Sequence, residues 1–352
     1  MLWTIVLVAI IALTVWAITS QDGFSFKVFW NYLKNLHPGW LIAAIAAVVA
    51  TILFEALAIM TIIKSFGHRR KLSQGLMYST SDLYFSAITP SATGGQPASA
   101  YFMMKDGISG TLSTVALLVN ILMYNIAIIV ICLVTFLIKP SVVFQLSTLS
   151  HVLIIVGAVC LSSLALFTLL ILYKSHIIRK VGAFFIKLLH KMHIIKDVDG
   201  KLTKLDCMIK SYNGHVSHLK GKAWMMVKVL IFNILQRASL IAVTLFVFLA
   251  SGGAAETAYD VWSSQCMVVL GTNMLPIPGA VGVSDYLLID SFEAIGFTEA
   301  GAMNLSLLSR TISFYLCVAI CGASLVIKVI SDKVKLKRLA EQQAKMENEN
   351  KN

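Results

Sequence analysis

Six stretches of this chain are long and apolar enough to cross a bilayer as helices, and each carries no more than two Asp, Glu, Lys or Arg residues. They are Leu2–Ile18, Trp40–Ile63, Thr111–Ile138, Val152–Tyr173, Trp224–Ala250 and Met303–Ile330. About twenty such residues span the hydrocarbon core. The first could be read as a signal peptide, but it has no Lys or Arg at its start and a long apolar core, so a spanning helix is the better reading. Backbone groups have no water to bond in lipid, so these stretches predict an all-α, polytopic membrane protein with about six full spans. Composition agrees: 58% of residues are hydrophobic and 13% charged, about half the charge of a soluble domain.

Two further apolar stretches are interrupted. Leu76–Met104 is broken by Pro90, Gly94, Gly95 and Pro97, and Ala258–Ile295 by Gly271, Pro276, Pro278, Gly279 and Gly282. Non-helical backbone at membrane depth is tolerated only against protein or a water-filled cavity.

The net charge of +12 could suggest nucleic acid, but its placement speaks for a membrane. Lys64, Arg69, Arg70 and Lys71 follow the second span. The loop 174–222 carries eleven Lys/Arg against three Asp, and Lys333, Lys335, Lys337 and Arg338 open a charged tail over 333–352. The positive-inside rule sends all three to the cytoplasm and predicts a multi-pass protein of the plasma membrane. Residues 1–332 then form one membrane domain. With that topology, segments 76–104 and 258–295 must each start and finish on one side, so they are expected to be re-entrant helical hairpins entering from opposite faces. Their sequences rhyme: Ile88-Thr-Pro-Ser-Ala-Thr-Gly-Gly against Leu275-Pro-Ile-Pro-Gly-Ala-Val-Gly. Broken segments at corresponding places in two halves point to an inverted repeat with a site at the midplane.

The candidate site residues follow. Thr93, Gly94, Gly95, Gln96 and Pro97 in one break, and Pro278, Gly279, Gly282 and Asp285 in the other, combine close backbone approach with freed helix ends that can hold an anion. Ser91 and Ser284 could add neutral hydrogen bonds. Glu55, Arg237 and Arg310 are ionisable residues inside spans, which are functional hypotheses by default; Asp82 is a weaker one. A guanidinium matches a phosphate bidentately, so Arg237 and Arg310 suit a lipid phosphate, while Glu55 or Asp285 could answer a proton or an amine. The competing reading is that the two acids and two bases simply pair. Val181, Phe184, Phe185, Leu188, Leu189 and Met192 repeat at helical spacing beside lysines, which fits either an in-plane helix on an anionic leaflet or a helix packed on its own domain. His190/His193 and His215/His218 read as a solvated basic face rather than a metal site, and the six cysteines as packing residues. No nucleotide, zinc-hydrolase or Ser-His-Asp motif stands out, so no cofactor is expected.

The string Pro90-Ser-Ala-Thr-Gly-Gly-Gln-Pro-Ala-Ser-Ala-Tyr, with Lys105-Asp-Gly-Ile-Ser, Pro276-Ile-Pro-Gly-Ala-Val-Gly-Val-Ser-Asp and Leu308-Ser-Arg-Thr-Ile-Ser-Phe-Tyr-Leu, resembles the lysylphosphatidylglycerol synthetase transmembrane-region family. Gln96 and Asp285 stand where that resemblance leads one to expect Glu. It implies a flippase-like membrane domain, which in two-domain members precedes a soluble aminoacyl-transferase. Only about twenty residues follow the last span here, too few for a transferase. The expected function is therefore translocation of an anionic or aminoacylated phospholipid, or another lipid-linked phosphate. The alternative is a part in lysyl-phosphatidylglycerol synthesis and cationic-peptide resistance, with a separately encoded enzyme partner. A homo-oligomer is compatible with either.

Overall fold

The computed structural model describes residues 30, 33–191, 197–273, 277–280 and 282–349. The span expected at Leu2–Ile18, and Met192 and His193, lie outside the described residues. Among the described residues there are helices and turns and no strand. The α-helices longer than one turn are α1 (Pro38–Ser65), α2 (Leu72–Ile88), α3 (Gly95–Lys105), α4 (Gly110–Ile138), α5 (Thr148–Tyr173) and α6 (Ser175–Lys191). They continue as α7 (Val198–Leu219), α8 (Ala223–Ala250), α9 (Ala258–Thr272), α10 (Val283–Ala294), α11 (Glu299–Arg310) and α12 (Cys317–Glu349).

The chain is an all-α polytopic membrane protein. Five helical segments are long and apolar enough to cross a bilayer: α1, α4, α5, α8 and the run Glu299–Asp332. Each coincides with an expected span. The last is not one regular α-helix, because the six residues Thr311–Leu316 form a π-helical insert between α11 and α12. α1 packs along α8 in the most extensive helix–helix contact among the described residues. α4 closes against α8, and α5 lies outermost, with Val152, Ile155, Val156, Val159 and Leu166 all exposed. An apolar rim of that kind would be costly in water and is cheap in lipid.

Both broken stretches fold as helix–turn–helix units. In the first, α2 and α3 pack on each other; in the second, α9 and α10 do. Their outer ends lie at opposite ends of the bundle. At one end Lys105, closing α3, pairs with Asp332 at 2.6 Å, and Lys222 donates to Ser65 O at 3.2 Å. At the other, Asp260 in the first turn of α9 pairs with Lys139 after α4, His37 N donates to Ala250 O at 2.8 Å, and Phe297 stacks edge-on with Phe248. The tips meet in the middle, where the turn Pro90–Ala92 touches the turn Pro278–Ala280. The two turns share one backbone device. Each is a single 3-10 turn opened by proline and closed by an alanine at positive φ, +54° at Ala92 and +49° at Ala280. That conformation costs an L-residue roughly 1–2 kcal/mol, so its occurrence at matching points of both tips marks a repeated structural element.

Beyond the bundle, α6 and α7 form a basic helical pair between α5 and α8. α7 is tied to the end of α1: His218 Nε2 lies 3.0 Å from Ser65 O, and the Phe66 ring meets His215 edge-on and His218 at a tilt. Burial, reinforced by His218 and His68, holds His215 below the usual imidazole range.

Candidate functional site

The first hairpin is closed by small residues and one carboxylate. A Cβ on Gly95 would stand 2.0 Å from Ser86 Oγ and 2.1 Å from Asp82 Oδ1, so only glycine lets α3 start this close to α2. Gln96 Nε2 donates to Asp82 Oδ2 at 2.8 Å, and Ser86 Oγ donates to Asp82 Oδ1 at 3.1 Å. Gly94 N donates to Thr89 Oγ1 at 2.8 Å, while the exposed Thr93 turns back on Pro90 O. Pro97 sits in the first turn of α3, where its missing N–H costs nothing. Asp82 neighbours Glu55 on α1, which accepts bonds from Ser79 at 3.2 Å and Gln236 at 3.3 Å. Both acids are buried.

The second hairpin is held from outside. Arg310, the last residue of α11, pairs with Asp285 at 3.2 Å, bonds Ser284 Oγ, and donates to Gly279 O at 2.7 Å. Asp285 also accepts from Gly282 N at 3.1 Å, capping the start of α10. The π-helical insert after Arg310 brings Phe314 over the tip. A Cβ at Gly279, which has a φ of +60°, would lie 2.4 Å from the Phe314 ring. π-inserts are frequent at functional sites because the added residue re-aims its neighbours.

Arg237 behaves differently. Its guanidinium, on α8, lies 4.0 Å from the centroid of the Tyr124 ring, and Tyr124 in turn donates to Asn273 Oδ1 at 3.0 Å. Arg237 is buried and its Nε has no hydrogen-bond partner. Among the described residues no carboxylate lies within ion-pair distance of it. The expectation that the two intramembrane acids and two bases pair off therefore holds for Arg310 and Asp285 only; Glu55 accepts its hydrogen bonds from the neutral Ser79 and Gln236.

A cavity of about 290 Å³ lies where the tips meet. Its wall includes Ala92 from one tip, Gly279 and Asp285 from the other, and Arg237, Ser309 and Arg310 from the spans. Ser309 Oγ and Arg310 Nε are buried without a partner. Among its described lining residues the first hairpin supplies Leu83, Ser86, Ala87 and Ala92. Gly94, Gly95, Gln96 and Pro97 shape that hairpin instead of facing the space, and Glu55 lies behind Thr51, which does line it. For Pro278 the backbone is described, in the tip turn beside Gly279. Sequence reasoning missed Tyr124, Asn273, Ser309 and Phe314. A signal existed for the first: Tyr124 stands between Asn120 and Asn125 in an otherwise apolar span.

Against known protein families, the chain matches Lysylphosphatidylglycerol synthase TM region over residues 3–321. The chain belongs to that family. No curated protein and no solved structure matches it. Lysylphosphatidylglycerol synthase TM region thus covers both hairpins, the cavity between them and all twelve candidate residues, from Glu55 to Arg310.

Proposed function

We propose that this protein translocates an anionic or aminoacylated phospholipid, or another lipid-linked phosphate, between membrane leaflets. The observation that carries the reading is Arg237: a buried guanidinium beside a central cavity, stacked on Tyr124 and unclaimed by any described carboxylate. A buried charge is tolerated when something compensates it, and a phosphate entering the cavity would do so bidentately. Arg310 is already neutralised by Asp285, so its role is to set the second tip and offer its remaining Nε. The cavity's size supports a headgroup as cargo, since sites for whole small ligands run to roughly 300–1,000 Å³; the acyl chains would remain in lipid.

In the bilayer, the two hairpins would enter from opposite faces, with the basic end of the bundle, including α6 and α7, in the cytoplasm. That would put the cavity near the midplane, the position expected of inverted-repeat transporters. The plasma membrane is the expected location, and a homo-oligomer or a separate lysyl-transferring enzyme would be a natural partner.

The test is reconstitution in liposomes with headgroup-labelled phosphatidylglycerol, its lysyl ester and a polyprenyl phosphate. At least one should cross faster than in protein-free liposomes. Equal rates for all three would remove the proposal. Supplying lysyl-tRNA and phosphatidylglycerol to the same vesicles checks the synthetic alternative, because any lysyl lipid formed would favour an enzyme.

A further inference from the structure

We propose that α6 is an in-plane anchor whose outer apolar face inserts into an anionic lipid leaflet. This goes beyond transport and does not depend on what the cavity carries. α6 begins two residues after α5 ends, with only Lys174 between them, so it starts at the membrane boundary. The adjoining span ends carry exposed aromatics, Tyr173 closing α5 and Trp224 opening α8. Such residues mark the headgroup level.

α6 has two apolar faces. One is used within the protein: Ile178 packs into the core and Gly182 sits against Leu205 of α7. The other is not. Val181 is 50% exposed, Phe184 63% and Leu188 39%, at the i, i+3, i+7 spacing of a single stripe. Lys180, Lys187 and Lys191 flank that stripe on the side away from α7, and all three are exposed. Among the described residues none of them has a carboxylate within ion-pair distance. The nearby acid, Asp206 of α7, is taken by Arg179 in a two-bond contact of 2.7 and 2.9 Å, which holds it below the usual carboxylate range. An apolar stripe edged by three unpaired lysines, continuous with a spanning helix, is complementary to acyl chains under anionic headgroups.

The test uses the full chain in nanodiscs, with the exposed Cys160 and Cys207 replaced by serine and a spin label on Val181→Cys. A reference label goes on Lys201→Cys, an exposed position of α7. In discs containing phosphatidylglycerol, the ratio of oxygen to nickel-chelate accessibility at 181 should exceed that at 201 by roughly tenfold, and in phosphatidylcholine alone it should fall severalfold. Replacing Lys180, Lys187 and Lys191 together by glutamine should remove the dependence on lipid charge while oligomeric state in detergent stays unchanged. Three results would overturn the proposal. They are nickel access at 181 as high as at 201 in both discs, insertion equally deep without anionic lipid, or dipolar broadening that vanishes on dilution with unlabelled protein, which would assign the stripe to a second copy.

Discussion

The two hairpins share a shape and differ in what holds it. The first is stitched internally: Gly95 lets α3 touch α2, and Asp82 ties Gln96 and Ser86 across the seam. The second has a lighter seam, with Gly271 against Leu287 and a long bond from Ser264 to Ser291 O at 3.5 Å; its tip is clamped by Arg310, a residue of another helix, through Asp285, Ser284 and Gly279. A unit closed on itself keeps its shape when its surroundings move. A unit held by an external clamp changes when that clamp shifts. The difference makes the second hairpin, with the π-helical insert behind its clamp, the part of the molecule best placed to respond to a ligand beside Arg310.

Breaking the clamp should therefore have the largest effect on stability. Arg310→Ala leaves Asp285 buried and unpaired, a loss of about 3–5 kcal/mol, read as a fall in the melting temperature of detergent-solubilised protein. Arg310→Met combined with Asp285→Asn should recover most of it, because no isolated charge remains. If the double variant is no better than Arg310→Ala, the ion pair is not what holds the tip. The seam of the first hairpin comes next. Gly95→Leu forces side-chain atoms into the space of Asp82 and Ser86, for a cost of about 1–3 kcal/mol or somewhat more. Gln96→Glu should cost less, toward the lower end of roughly 1–3 kcal/mol, by replacing a donor to Asp82 with a third acid near Glu55. Pairing Gln96→Glu with Asp82→Asn should restore a donor and much of the loss, whereas additive losses would show that the two side chains do not interact.

The contrast also explains what could be read from the sequence. Spans were legible because lipid demands long apolar runs, and α1, α4, α5, α8 and Glu299–Asp332 fall where such runs stand. The breaks were legible because Pro90, Gly94, Pro278 and Gly282 interrupt those runs. Partnerships were not. Whether Arg310 or Arg237 meets Asp285 depends on how α8, α10 and α11 are rotated about their axes, and a periodic apolar pattern leaves that rotation open. The π-helical insert at Thr311–Leu316 contains neither Gly nor Pro, so nothing local announced it. Gly94 and Gly95 drew attention as anion-holding residues, yet the space they would need is filled by Thr89, Ser86 and Asp82. Their visible signature, small residues beside a helix start, is the same for tight packing as for ligand approach.

Arg237 should show the smallest effect on the fold and a large one on activity. It has no salt bridge to lose, so Arg237→Met exchanges a buried cation for an apolar side chain of similar length. Burying a charge without an ion-pair partner costs folding free energy, and the apolar replacement removes that cost. The melting temperature should hold or rise, while liposome exchange of an anionic lipid should fall at least roughly tenfold, the cost of one charge-assisted contact of about 1.5–3 kcal/mol. Tyr124→Phe keeps the ring under the guanidinium and removes only the bond to Asn273, so it should retain most activity; Tyr124→Leu should not. A stable Arg237→Met that still moves lipid at the original rate would mean that the free cation is tolerated rather than used, and the asymmetry between the two arginines would then be a matter of packing alone.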